Sequence, residues 1–152
     1  MNEVWTCKSP YNFADENFAT IFSFFVIECP VEDISVRGAT SERKTNLQGF
    51  TSQSISTNLK TGYWNPIDEN KNNSNIEDII RNNGIISHNE IKYEIVAFKY
   101  YKKDMMKQFL YSIRCAFAHG AFCIHEHDNC KFYYFENFDI NGKGLIARMV
   151  LK

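Results

Sequence analysis

The sequence predicts a mainly helical α+β protein, in which a helical part (residues 9–120) precedes a small C-terminal antiparallel β-meander (121–151). Apolar residues recur at three- and four-residue steps before Pro30 and again before Gly120, which is typical of amphipathic helices. After Gly120 the apolar period changes to two, which is typical of half-buried strands. The 152 residues, 44% of them hydrophobic, fit a single domain, 1–152.

The first predicted helix begins at Ser9-Pro10, because serine caps helices and proline suits the first helical position. It ends before Pro30, because proline lacks the amide hydrogen that a continuing helix needs. From Val31 to Asn73 the chain is rich in Ser, Thr, Asn and Lys, so we expect loops with at most one embedded helix around 41–58. The apolar positions of the first helix are Phe18, Ile21, Phe22, Phe25, Val26 and Cys29.

Two capping signatures precede the later helices. Ser74-Asn75-Ile76-Glu77 has capping-box spacing and predicts a short helix that ends at Asn83-Gly84. Ser87-His88-Asn89-Glu90 repeats this spacing, and predicts one helix of roughly 30 residues, or two that break near Lys103-Asp104. Gly120 can adopt the left-handed conformation that ends such a helix. The apolar positions of this long segment are Ile95, Phe98, Met105, Met106, Phe109, Leu110, Ile113 and Phe117.

The segment after Gly120 predicts three short strands joined by turns. Its aromatic run, Phe132-Tyr133-Tyr134-Phe135, favours packing in the core over base stacking. The predicted strands are 121–127, 130–138 and 145–151, separated by Asp128-Asn129 and Asn141-Gly142 turn signals.

The composition predicts a cytoplasmic protein with no membrane partner. Lys and Arg number 17 against 18 Asp and Glu, so the net charge attracts neither nucleic acid nor an anionic membrane. The first residues, Met1 to Trp5, lack the basic and apolar regions of a signal peptide, and the apolar run from Phe18 to Ile27 is too short to span a bilayer. The five scattered cysteines favour reduced thiols over a disulfide framework.

Arg114 and His119 form a pair suited to RNA cleavage without a metal or another cofactor. A guanidinium binds a phosphate through two hydrogen bonds, and an imidazole can exchange a proton near neutral pH. On one helix, however, the five-residue step turns His119 by about 140° from Arg114. We therefore expect a symmetric homodimer, in which two copies of each residue share one cleft and supply an acid, a base and a phosphate clamp.

The residues around this pair carry a family resemblance. Arg114, four intervening residues, His119 and Gly120 resemble the Arg-x4-His motif of the HEPN superfamily. The wider string IRCAFAHGAF, Ile113 to Phe122, is similar to the bacterial subgroup that has IRNAxAHG. This resemblance implies a HEPN-like four-helix body, a dimer, and an endoribonuclease that leaves a 2′,3′-cyclic phosphate. It also implies a role as a toxin or anti-phage effector, with an antitoxin or defence-system partner.

The chain differs from the family pattern at two positions. Cys115 stands where the family usually has a polar residue, often Asn, and a thiol is a weak hydrogen-bonding group. Ala121 stands where toxins paired with a nucleotidyltransferase antitoxin usually have Tyr, which disfavours that partnership. Cys115 also favours an alternative of another class, a catalytically inactive HEPN-like module that binds RNA or a protein.

A basic stripe is predicted beside the motif. Lys99, Lys103 and Lys107 are four residues apart and, on one helix, would fall within about 80° of one another, with Arg114 in the same arc. Such a stripe could follow an RNA backbone, and it equally fits the solvated face of an amphipathic helix.

A small zinc-binding domain is the second alternative. Cys123, His125 and His127 alternate onto one face of a predicted strand, and Cys130 follows closely. The stretch has no Cys-x2-Cys pair, which is the usual sign of a zinc site. It also fits a half-buried strand with reduced thiols and exposed imidazoles.

Overall fold

The computed structural model describes residues 16–29, 53, 63–69, 74–82, 94–100, 105–139, 141 and 144–152. They form a five-stranded mixed sheet with helices on both faces, so the predicted helical bundle is wrong. The strands are β1 (Tyr63–Asp68), β2 (Ile95–Tyr100), β3 (Phe122–His127), β4 (Cys130–Phe138) and β5 (Leu145–Leu151). The helices are α1 (Glu16–Ser23), which continues into a π-helical turn (Phe24–Glu28), α2 (Ile76–Asn82) and α3 (Met105–Ala118).

The strand order is β1-β2-β5-β4-β3, and only β1 and β2 are parallel among the described strands. Consequently β2 and β4 finish at the end of the sheet where β3 and β5 begin, which we call the site end. Helix α3 follows β2 and leads into β3, so it starts and finishes near this end. It therefore crosses the strands, and contacts both β2 and β4.

Strand alternation divides the core between the two faces of the sheet. In β2, Val96 and Phe98 pack with α1, the π-helical turn and α3, whereas Ile95 and Ala97 pack with α2. Phe117 is central to the first core. Its ring lies 4.8–6.3 Å, centroid to centroid, from those of Phe18, Phe22, Phe25, Phe122 and Phe135.

The long helix predicted after Ser87 is wrong, because its first part is strand β2. Ile95, Val96, Ala97 and Phe98 are all buried, since β2 lies between two strands and both of its faces are covered. A strand buried on both faces has a continuous apolar run, which periodicity alone does not distinguish from a buried helix.

Strand β1 lies in a segment for which loops were predicted. It is an edge strand of the described sheet and contains Pro66. Proline lacks an amide hydrogen for the ladder, so within sheets it is confined mainly to edge strands. Pro66 therefore favoured a loop in the sequence-based prediction, although the edge position of β1 tolerates it.

Other predicted elements are confirmed. The three C-terminal strands are present within one residue of the predicted bounds. The short helix is α2, but the Glu77 amide, which the predicted capping box assigns to the Ser74 hydroxyl, donates to the Asn75 side chain at 3.1 Å. The first helical segment ends at Cys29, directly before Pro30. The predicted start at Ser9-Pro10, the signature at 87–90 and, apart from Gln53, the embedded helix at 41–58 lie outside the described residues.

Candidate functional site

The end of α3 presents His119 to solvent. The Ala121 amide donates to the Ala116 carbonyl at 2.8 Å, and the Gly120 amide donates to the Phe117 carbonyl at 3.3 Å. This pair of bonds is a Schellman motif, with Gly120 in the left-handed conformation at φ 65°, as predicted. His119 is therefore the last residue before the chain turns into β3, and its side chain is exposed.

Replacing Gly120 by alanine should lower the free energy of unfolding by about 1 to 2 kcal/mol. A Cβ at this position would meet no atom within 4 Å, so the cost comes from backbone conformation alone. Gly120→Asn should lose less, because asparagine tolerates the left-handed region. Urea denaturation measures both effects, and an alanine variant as stable as the wild type would contradict the cap assignment.

Arg114 lies on a different side of α3 from His119. Its side chain is partly exposed, and its Nε atom is enclosed with no hydrogen-bond partner among the described residues. The five-residue step to His119 turns the helix by about 140°, and Arg114 does not line the pocket described next. The structure therefore does not bring the two motif residues together within one chain.

A pocket of about 330 Å³ opens at the site end of the sheet. His119 and Ala121 line it from the end of α3 and the start of β3, and the end of β4 forms the opposite wall. The Glu136 amide donates to the Ala121 carbonyl at 2.9 Å, which ties the two walls together. The described lining residues are His119, Ala121, Glu136, Asn137 and Phe138.

Glu136 forms a buried ion pair with Arg148 on the neighbouring strand. The two residues are directly opposite in the β4–β5 register. Arg148 Nε and Nη2 both lie close to Glu136 Oε1, at 2.7 and 2.6 Å. The Arg148 side chain is 6% exposed and that of Glu136 is 1% exposed. The carboxylate is thus held by its partner and is poorly placed to take a proton from a substrate.

Asn137 joins the pocket to α3. Its Nδ2 atom lies 3.5 Å from the Ser112 hydroxyl oxygen, and both residues are buried. The regular pairing of β4 with β5 shifts between Asn137 and Phe138. The extra residue is Ile146 of β5, and such irregularities are common next to active sites.

Cys115, the departure from the family motif, is a core residue with 5% of its surface exposed. It is not among the described residues that line the pocket. The thiol at this position therefore contributes to packing on α3, and it does not face the same cavity as His119.

The predicted basic stripe is wrong. Lys99 lies on β2, whereas Lys107 lies on α3, so the four-residue step does not place them on one helix. Lys99 Nζ is 3.8 Å from Glu69 Oε1. Lys103 lies outside the described residues.

The predicted zinc set is also unsupported. Cys123 is fully buried in the second core, and the ring of His125 packs against Tyr134 at 5.2 Å. His127 and Cys130 face each other at the tip of the β3–β4 hairpin. Same-face residues two positions apart on a strand are separated by roughly 7 Å. In the part of the chain that the structure describes, no three His, Cys, Asp or Glu side chains are grouped to hold a metal ion.

Sequence reasoning missed the residues that β4 and β5 contribute to the site. Glu136 and Asn137 directly follow the buried aromatic run, so two polar residues at the end of a predicted core strand were the available signal. Arg148 is likewise a charged residue within an apolar strand. Pairing them requires the strand register, which is a property of the fold.

Comparison of the chain with protein-family models, curated proteins and solved structures finds no match. The likeness to the HEPN motif therefore rests on the short string around Arg114 and His119, and α3 packs on a sheet where the resemblance implied a four-helix body. Within the described residues, no helix is both long and apolar enough to cross a membrane.

Proposed function

We propose that the protein is a metal-independent endoribonuclease in which His119 transfers protons to or from RNA. The observation that carries the proposal is the placement of His119, an exposed imidazole at a helix end that lines a pocket opposite a buried amide and an aromatic ring. A positioned histidine acts as a general acid or base in proton transfer.

The active unit in this proposal is a homodimer. Attack by a ribose 2′-hydroxyl requires one group that accepts its proton and another that protonates the leaving 5′-oxygen. Of the described residues that line the pocket, His119 and Glu136 are the two with ionisable side chains, and Glu136 is bound to Arg148. A second His119, from a second copy of the chain, supplies the missing group.

Arg114 of the second copy is the proposed phosphate clamp. Around the axis of α3, Ala118 and Tyr111 lie between Arg114 and His119; Ala118 is exposed, and Tyr111 is partly exposed and packs against the first core. Contact between two copies along this side would bring the arginine of one chain towards the histidine of the other. A phosphate would supply the guanidinium with acceptors, which its Nε lacks among the described residues.

A defined RNA oligonucleotide tests the chemistry. The wild-type protein should cleave it in EDTA, and substitution of 2′-deoxyribose at the cut site should stop cleavage there, because the attacking hydroxyl is gone. Cleavage at the deoxy position, or cleavage only after a divalent metal is added, would contradict the mechanism.

Mixing wild-type protein with His119→Ala tests the shared site. The site needs the His119 of both copies, so heterodimers with one wild-type chain should be as inactive as the variant homodimer. After subunit exchange, cleavage should therefore fall with the square of the wild-type fraction. Light scattering would verify that all samples are dimers. Cleavage that falls in proportion to the wild-type fraction, or a fully active monomer, would contradict the shared site.

A catalytically inactive RNA-binding module is the second candidate. It is favoured by the divergence of Arg114 and His119 within one chain, which leaves the pocket without a clamp from its own motif. A wild-type protein that retards RNA on a gel and never cuts it would select this candidate.

A further inference from the structure

Phe138 differs from the other aromatic residues of its strand. The aromatic residues from Phe132 to Phe135 are buried, with at most 7% of their surface exposed. Phe138 ends the same strand with 41% of its surface exposed, and it lines the pocket that contains His119. An exposed aromatic ring in this pocket is available to an incoming ligand.

The irregularity in the β4–β5 pairing coincides with this exposure. By strand alternation alone, Phe138 would follow Phe132, Tyr134 and Glu136, all of which are buried. The register shift falls between the pairs Asn137–Ala147 and Phe138–Leu145, and the extra residue is Ile146 of β5. Phe138 is thus exposed at the end of β4, beside a local irregularity of the neighbouring strand.

The residue next to Phe138 contributes an amide to the pocket. Asn137 is 6% exposed and lines the pocket beside Phe138. An amide offers both hydrogen-bond donors and an acceptor, as the edge of a nucleobase does. The pocket thus combines a ring for stacking, an amide and an imidazole.

We infer that Phe138 is the stacking platform for an unpaired base of single-stranded RNA beside the phosphate served by His119. This inference rests on the proposed function and specifies its substrate. Single-stranded RNA offers bases that can stack on an aromatic side chain, whereas bases within a duplex remain stacked on each other. Phe138 therefore selects and positions the substrate, and takes no part in proton transfer.

The test uses single-stranded RNA that carries 2-aminopurine and 2′-O-methyl groups, so that it binds without being cleaved. Wild-type protein should quench the 2-aminopurine fluorescence, because the base stacks on the ring. Phe138→Ala should weaken binding by about tenfold and lose the quenching. Phe138→Trp should retain both, whereas Phe138→Leu, which keeps a large apolar side chain without a ring, should lose the quenching.

Phe24 provides the matched control, because it is 37% exposed and is not among the described residues that line the pocket. Phe24→Ala should leave RNA affinity and quenching unchanged. Equal binding and quenching by wild type, Phe138→Ala and Phe138→Leu would overturn the inference, as would equal affinity for a duplex of the same sequence. Quenching by a wild-type protein that does not cut unmodified RNA would support the platform and refute the proposed nuclease.

Discussion

Replacing His119 by alanine should slow RNA cleavage by at least about 100-fold, the usual contribution of a general acid or base. The residue is exposed at the end of α3, so removal of its side chain should leave stability nearly unchanged. Single-turnover cleavage of a labelled oligonucleotide measures the rate. Circular dichroism and urea denaturation measure the fold.

His127 is the control for this prediction, because its side chain is 41% exposed and lies at the tip of the β3–β4 hairpin, outside the described pocket lining. His127→Ala should cleave RNA at the wild-type rate. If His119→Ala retains the wild-type rate, or if His127→Ala loses as much activity as His119→Ala, His119 is not the proton-transfer group.

Replacing Arg148 by methionine should lower the free energy of unfolding by about 3 to 5 kcal/mol. The change leaves the Glu136 carboxylate in the core without its counterion, and only 1% of the Glu136 side chain reaches solvent. The loss should be larger than the net value of the pair, because it includes the cost of a buried uncompensated charge. Urea denaturation of the two proteins gives the difference.

The double variant Arg148→Met with Glu136→Leu should be more stable than Arg148→Met alone, because neither charge then remains buried. Arg81→Met is the matched control. Arg81 pairs with Asp78 at 4.0 Å, with 73% and 63% of the side chains exposed, and its loss should cost about 0.5 kcal/mol or less. A double variant less stable than the single one would show that the pair stabilises the fold beyond compensating its own charges.

Local signals were sufficient for the elements that are confirmed. Pro30 ends the first helical segment, Gly120 ends α3, and Asp128-Asn129 forms the turn of the β3–β4 hairpin with both residues at positive φ. Each of these features depends on the conformational preference of one or two residues, and those residues can be identified from the sequence alone.

The fold class was not predictable in the same way. Ile95 to Tyr100 continued the apolar spacing of α3, so a helix and a strand fitted the same residues until the neighbours of the segment were known. Those neighbours are β1 and β5, and β5 lies about fifty residues further along the chain. Tertiary burial on both faces decided the conformation.

Some residues of the candidate site could be predicted from local signals, and others depend on the pairing of strands. The motif indicated His119, and the cap that exposes it could be predicted from Gly120. Asn137 and Phe138 reach the pocket through the pairing of β3 with β4, and the irregularity between them depends on β5. The sequence placed them in a strand but did not indicate that they face His119.

The most direct test of the central claim is to map the ends of RNA cut by purified protein in EDTA. The proposed mechanism predicts a 2′,3′-cyclic phosphate on one fragment and a 5′-hydroxyl on the other, with no cuts by His119→Ala. Intact RNA after incubation with the dimeric wild-type protein, or fragments that carry a 5′-phosphate, would contradict it.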